Sequence, residues 1–238
     1  MGWKRDKGMF LLFVLSCVFQ VSYFYQQDRR NSPFEYMLGV YQEPNEQGIL
    51  YIEILAVCVP LFFLVLYFKD YYTFYLENYG RLCLIRNCSR LRLIGNLFMR
   101  MIREVFWFII IQWGIWTVWR YDYMVQHIEE IIVGTVFYFM ILLFVLSIEL
   151  FLCTCVKEEV MQIGLNFYIL CCICINWTFE NPWIQLLFSP GKIIKGRTAV
   201  QGIIQRNIPE RLCLIILICG VLLMFNGVRM RFGRKDIF

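Results

Sequence analysis

The chain has 238 residues, of which 60% are hydrophobic, 18% aromatic and only 17% charged, with a formal charge of +5 and a mean hydropathy of +0.59. A soluble globule of this size needs more polar side chains to cover its surface, so the composition excludes a soluble fold and describes an all-α integral membrane protein. The positive charge lies in short segments between apolar runs, which excludes a nucleic-acid-binding domain and points to the anionic headgroups of a lipid bilayer.

Six apolar segments approach the length of about 20 residues that a helix needs to cross a hydrocarbon core of roughly 30 Å. They run approximately over 9–26, 49–68, 104–121, 131–155, 160–176 and 210–228, in a single transmembrane domain covering 1–238. They lack the alternation of barrel strands, and helices alone satisfy their backbone polar groups within lipid. The first resembles a signal peptide, with Lys4 to Lys7 preceding an apolar run and Val14-Leu15-Ser16-Cys17 resembling a lipoprotein cleavage box. Its apolar, aromatic character continues past Cys17 to Tyr25, so it reads as an uncleaved anchor. Asp6 stands where N-myristoylation requires Ser or Thr.

The second segment carries Glu53 near its outer end and Pro60 in its interior, where proline kinks a helix and frees carbonyls inside a bundle. It is followed by a basic, amphipathic stretch from Tyr79 to Arg103. On a helix, Leu82, Ile85, Ser89, Leu93 and Asn96 fall near one face while Arg81, Arg86, Arg90 and Arg92 populate others, with Gly80 and Gly95 as expected breaks. Such a helix lies along the membrane surface as a headgroup-bound connector, or docks a cytoplasmic partner.

Glu104 opens the third segment after Arg100 and Arg103. Glu149 falls in the inner half of the fourth, whose outer edge is marked by Glu129 and Glu130. Charge within a bilayer is costly and usually faces protein or water, so Glu53 and Glu149, with Pro60, are pathway or interhelical residues. Between the fifth and sixth segments, two short semi-apolar runs, 183–188 and 199–204, flank Ser189-Pro190-Gly191. They are too short to cross a membrane and form a re-entrant or interfacial outer hairpin turning at Pro190 and Gly191. Trp107, Trp113, Trp116, Trp119, Trp177 and Trp183 fit interfacial anchors, Trp113 sitting deeper.

With a cytoplasmic N-terminus, the inner side carries Lys4, Arg5, Lys7, seven Lys and Arg in 69–103, Lys157, Arg229, Arg231, Arg234 and Lys235, fifteen in all against eight outside. The positive-inside rule places both termini in the cytoplasm. The eleven cysteines include Cys153, Cys155, Cys171, Cys172 and Cys174, without the paired C-x-x-C spacing of a zinc site, and read as free intramembrane thiols. His127 is the only histidine, no phosphate loop or G-x-S-x-G elbow is present, and neither catalytic residues nor a metal site can be assigned. A channel would need a repeated polar ring, which the segments lack.

Leu84-Ile85-Arg86-Asn87-Cys88-Ser89-Arg90, an Arg-x-x-Ser-Arg element after an apolar pair, resembles the second inner loop of type-2 ABC exporter permeases. The permeases of lantibiotic and bacteriocin export or self-immunity cassettes are the closer likeness. Ser189-Pro190-Gly191 before Gly196-Arg197-Thr198 resembles their re-entrant hairpin. The resemblance implies six spans, a cytoplasmic amphipathic coupling helix between spans two and three, and residence in a bacterial plasma membrane. It implies a separate cytoplasmic subunit that binds ATP and Mg and clasps Glu77, Tyr79, Gly80, Arg81, Arg86, Ser89, Arg90 and Arg92, with a minor contact at Lys157 and Glu158. It implies a second permease subunit, the same or different, and a peptide or other amphipathic substrate. A non-transporting immunity or scaffold protein of the same topology is the competing reading.

Overall fold

The computed structural model describes residues 2–26, 51–75, 90–119, 121–126, 128–174 and 210–234. Among them, all regular structure is helical: α1 (Gly2–Gln26), α2 (Tyr51–Phe74), α3 (Arg90–Trp119), a short α4 (Tyr121–Gln126), α5 (Ile128–Cys153), α6 (Glu158–Cys174) and α7 (Glu210–Arg234). Each of the six apolar segments coincides with a long helix. Ile131–Cys153 and Leu214–Arg231 are long and apolar enough to cross a membrane, and Phe10–Tyr23 and Leu55–Lys69 are shorter apolar stretches.

The centre of the bundle is α5, which touches α2, α3, α6 and α7. A helix surrounded by others must be apolar on every side, and Ile141, Leu142, Leu143, Val145, Leu146 and Leu150 are all buried. Hydroxyls within such apolar runs are satisfied by bonding back to their own helix. Ser147 Oγ donates to the Leu143 carbonyl at 2.6 Å and Thr135 Oγ1 to that of Ile131 at 2.6 Å. Helix α2 continues through Pro60, whose ring replaces the bond otherwise made to the Ala56 carbonyl; both residues are buried.

Two helix pairs run parallel. Phe13 stacks on Phe108 with ring centroids 4.4 Å apart, and farther along both helices Gln112 Nε2 donates to Gln20 Oε1 at 3.3 Å, which aligns α1 with α3. Likewise Gly220 lies against Phe144, and Gly227 against Phe151, which aligns α7 with α5. Lys69 Nζ donates to Gln162 Oε1 at 2.8 Å, so the end of α2 meets the start of α6. The Arg100 guanidinium stands 4.0 Å above the Tyr71 ring, bringing the first half of α3 to the same place. Arg231 lies 6.0 Å over the Phe151 ring, adding the end of α7.

These contacts gather Lys69, Arg92, Arg100, Arg103, Lys157, Arg229 and Arg231 at one end of the bundle. The outer faces of the helices are apolar: Phe106, Trp107 and Val118 on α3, Ile163 and Phe167 on α6, and Ile215, Leu222 and Leu223 on α7 are exposed. A surface with so many large apolar groups marks a membrane or protein contact.

Candidate functional site at the basic end of the bundle

The amphipathic stretch and the third apolar segment are one helix, α3, 30 residues long. Gly95, expected as a break, lies inside it, and a Cβ placed there would meet nothing within 4 Å. Continuity has a physical cause. Leu93, Ile94, Leu97, Met101, Val105 and Phe108 form one buried stripe that runs from the basic half into the apolar half, so the same packing holds both. Asn96, expected on the face of Leu93, is exposed, as is Arg92. The third helix therefore starts well before Glu104.

Glu104 Oε1 lies 3.6 Å from Arg100 Nε and 3.2 Å from Arg103 Nη2. Arg103 is exposed while Arg100 and Glu104 are half-buried, and ion pairs that solvent still reaches are worth about 0–1 kcal/mol. Arg100 does more by bridging α3 to Tyr71 of α2. Burial raises the Tyr71 hydroxyl above its ordinary 10.0, the Arg100 guanidinium opposing this. The residue thus remains a neutral ring over which a cation can sit.

The second expected contact region is a tight turn. The Thr154 N–H donates to the Phe151 carbonyl at 3.0 Å, and the N–H groups of Cys155 and Val156 both donate to Leu152 at 2.8 and 2.9 Å. Lys157 and Glu158 follow, both exposed, where carboxylates in the first turn of α6 complement its dipole. Of the expected docking residues, Glu77, Tyr79, Gly80, Arg81, Arg86 and Ser89 lie outside the described residues, and Arg90 begins α3. Pro190 and Gly191 of the outer hairpin, with Trp177 and Trp183, also lie outside them. Trp107 and Trp119 are exposed, but Trp116 is 2% exposed and belongs to the core rather than to an interfacial belt.

Behind the basic end, Glu149 is fully buried, and neither carboxyl oxygen has a hydrogen-bond partner among the described residues. The Tyr72 hydroxyl of α2 is likewise buried without one. Glu53 lies in the first turn of α2. Cys17, Cys58, Cys153, Cys155, Cys171, Cys172 and Cys219 are thiols outside any disulfide. Among the described residues no cluster of His, Cys, Asp and Glu could hold a metal ion.

One polar constellation escaped the sequence. The Tyr138 hydroxyl donates to Gln112 Oε1 at 2.9 Å while Gln112 donates to Gln20, all three side chains being buried, so α1, α3 and α5 are joined by hydrogen bonds. A glutamine inside each of two apolar runs was the available signal; nothing marked Tyr138 as their partner.

These features define an all-helical bundle with two helices long and apolar enough to cross a membrane, and one strongly basic end. The chain belongs to the family described as Protein of unknown function (DUF2705), whose profile matches residues 13–238. No curated protein and no solved structure matches it.

Proposed function

We propose that this chain is the membrane-spanning permease subunit of an ATP-driven exporter in a bacterial plasma membrane. Its six long helices are its spans, both termini are cytoplasmic, and the basic end of the bundle faces the cytoplasm. The observation that carries the reading is the unbroken helix α3, whose basic half projects from the same rod that contributes Val105, Phe108, Ile109 and Gln112 to the core. A protein gripping Arg90, Arg92 and the segment before them would move the core directly. Arg100 over Tyr71 passes the same displacement to α2.

A cytoplasmic subunit holding ATP and Mg supplies the energy, and its closure shifts the permease only through contacts that differ between two states. Lys157 and Glu158 form its minor contact. A second permease subunit completes the path, and a peptide or other amphipathic molecule, as in bacteriocin export or self-immunity, is the cargo. The concentration of basic residues at one end supports the orientation, since cytoplasmic segments carry excess Lys and Arg. With 17 residues, α6 is about 25 Å long, short of the roughly 30 Å core, which local thinning accommodates.

The test is co-purification. The full chain is expressed with its neighbouring open reading frames, solubilised gently, and its bound proteins identified by mass spectrometry. A stoichiometric partner bearing a phosphate loop, lost when Arg86→Glu and Arg90→Glu are combined, is the expected result. A chain that runs alone or only with membrane proteins would overturn the exporter reading in favour of an immunity or scaffold protein.

A further inference from the structure

We propose that Lys69 is a movable latch: in this structure it ties α2 to α6 through Gln162, and in a second arrangement of the bundle it ties α2 to α5 through Glu149. The two acceptors stand at matching depths on neighbouring helices. Glu149 is one turn before the end of α5 at Cys153, and Gln162 is one turn after the start of α6 at Glu158. The hairpin they share is held at its base by the tight turn through Thr154 to Val156 and by the Cys153 thiol, which lies 2.9 Å from Met161 Sδ. Helix α2 packs against both arms. A sideways movement of its end across a fixed hairpin therefore carries Lys69 from one acceptor to the other.

Three features favour a second position. Lys69 Nζ donates to the Gln162 amide oxygen at 2.8 Å, and a carboxylate accepts a stronger, charge-assisted bond than an amide does. Both Glu149 oxygens are buried without partners among the described residues, an arrangement normally relieved by pairing. The Tyr72 hydroxyl, three residues from Lys69 and so on the same side of α2, is also buried without a hydrogen-bond partner among the described residues, adding a second polar group at this junction. The flexible four-carbon stem of lysine permits the swing without breaking α2. Arg100 against Tyr71 would deliver a push from α3 to this end of α2. The use of the latch in a transport cycle rests on the exporter reading, but the exchange itself requires only α2, α5 and α6.

The full chain in lipid nanodiscs, without any partner, is treated with dicyclohexylcarbodiimide, which condenses an adjacent carboxyl and amine into an amide. Mass spectrometry then reads the linkage between residues 69 and 149. The linkage should form in the wild type, rise several-fold in Gln162→Leu, which removes the competing acceptor, and vanish in Glu149→Gln. In parallel, exchanging the charges with Lys69→Glu and Glu149→Lys together should recover the membrane accumulation lost in either single variant. A linkage yield indifferent to Gln162→Leu would show a fixed pair and overturn the exchange. Absence of the linkage from both the wild type and Gln162→Leu would also overturn it, whatever the charge exchange does. Since no ATPase is present, these outcomes are independent of the co-purification result.

Discussion

The edge of the Phe144 ring occupies the space above Gly220, where a Cβ would stand 2.6 Å from its Cε2 atom. Seven residues farther along both helices the relationship repeats, with a Cβ at Gly227 standing 2.8 Å from Cε2 of Phe151. The two parallel helices α5 and α7 thus meet through aromatic rings laid over glycines. In lipid, where apolar side chains gain nothing by leaving their solvent, such close approach is a main source of helix association.

Replacing Gly220 by Val should overpack this contact and cost roughly 1–3 kcal/mol, seen as a lower thermal midpoint of the detergent-solubilised chain. Combining it with Phe144→Ala should recover part of the loss, because the two sites share one contact. An additive double variant would mean that the ring does not oppose the new side chain.

Tyr138→Phe removes the donor that binds Gln112 and should destabilise the bundle by about 0.6 kcal/mol, and by no more than about 1.7. Gln112→Leu should cost more, since it strips the buried Tyr138 hydroxyl of its acceptor and breaks the link to Gln20 as well. Thermal unfolding of the two variants side by side checks the order.

At Gly95 the prediction separates coupling from folding. Alanine should be tolerated and stabilise α3 by about 0.8–1 kcal/mol, because a Cβ there meets nothing. Proline should interrupt the rod between its basic and core-bound halves. On the proposed exporter reading, Gly95→Pro should retain the proposed ATPase partner yet lose ATP-driven export from vesicles; export at the wild-type rate would refute coupling through α3.

The contact between Arg100 and Tyr71 has a pH signature. Because the folded state raises the Tyr71 hydroxyl above 10.0, the stability linked to its neutral form is complete below pH 10 and is lost as the pH rises beyond that. The thermal midpoint of the wild type should fall faster than that of Tyr71→Phe as the pH rises above 10.

Much of the fold was legible in the chain. The six apolar segments are the six long helices, because sustained apolar runs admit little else, and the turn at Lys157 fell where charge interrupts them. The basic stretch was legible as amphipathic, but the break expected at Gly95 does not occur. Glycine lowers helix propensity, yet the packing of Leu93, Leu97 and Met101 on either side of it overrides that local preference. Glu149 could be singled out as a costly charge in an apolar run, although its neighbours could not be named.

The sequence by itself determined the helices, their apolar character and the bias of Lys and Arg to alternate segments, since these depend on composition and period along the chain. Tertiary structure decided which helices lie side by side. It placed Gln20 against Gln112, Lys69 against Gln162, Phe144 against Gly220 and Arg100 over Tyr71. Those pairings follow from the shapes of facing side chains, small against large and donor against acceptor. No periodicity within a single segment encodes them, because each half of every pair is satisfied only by a residue far away in the chain.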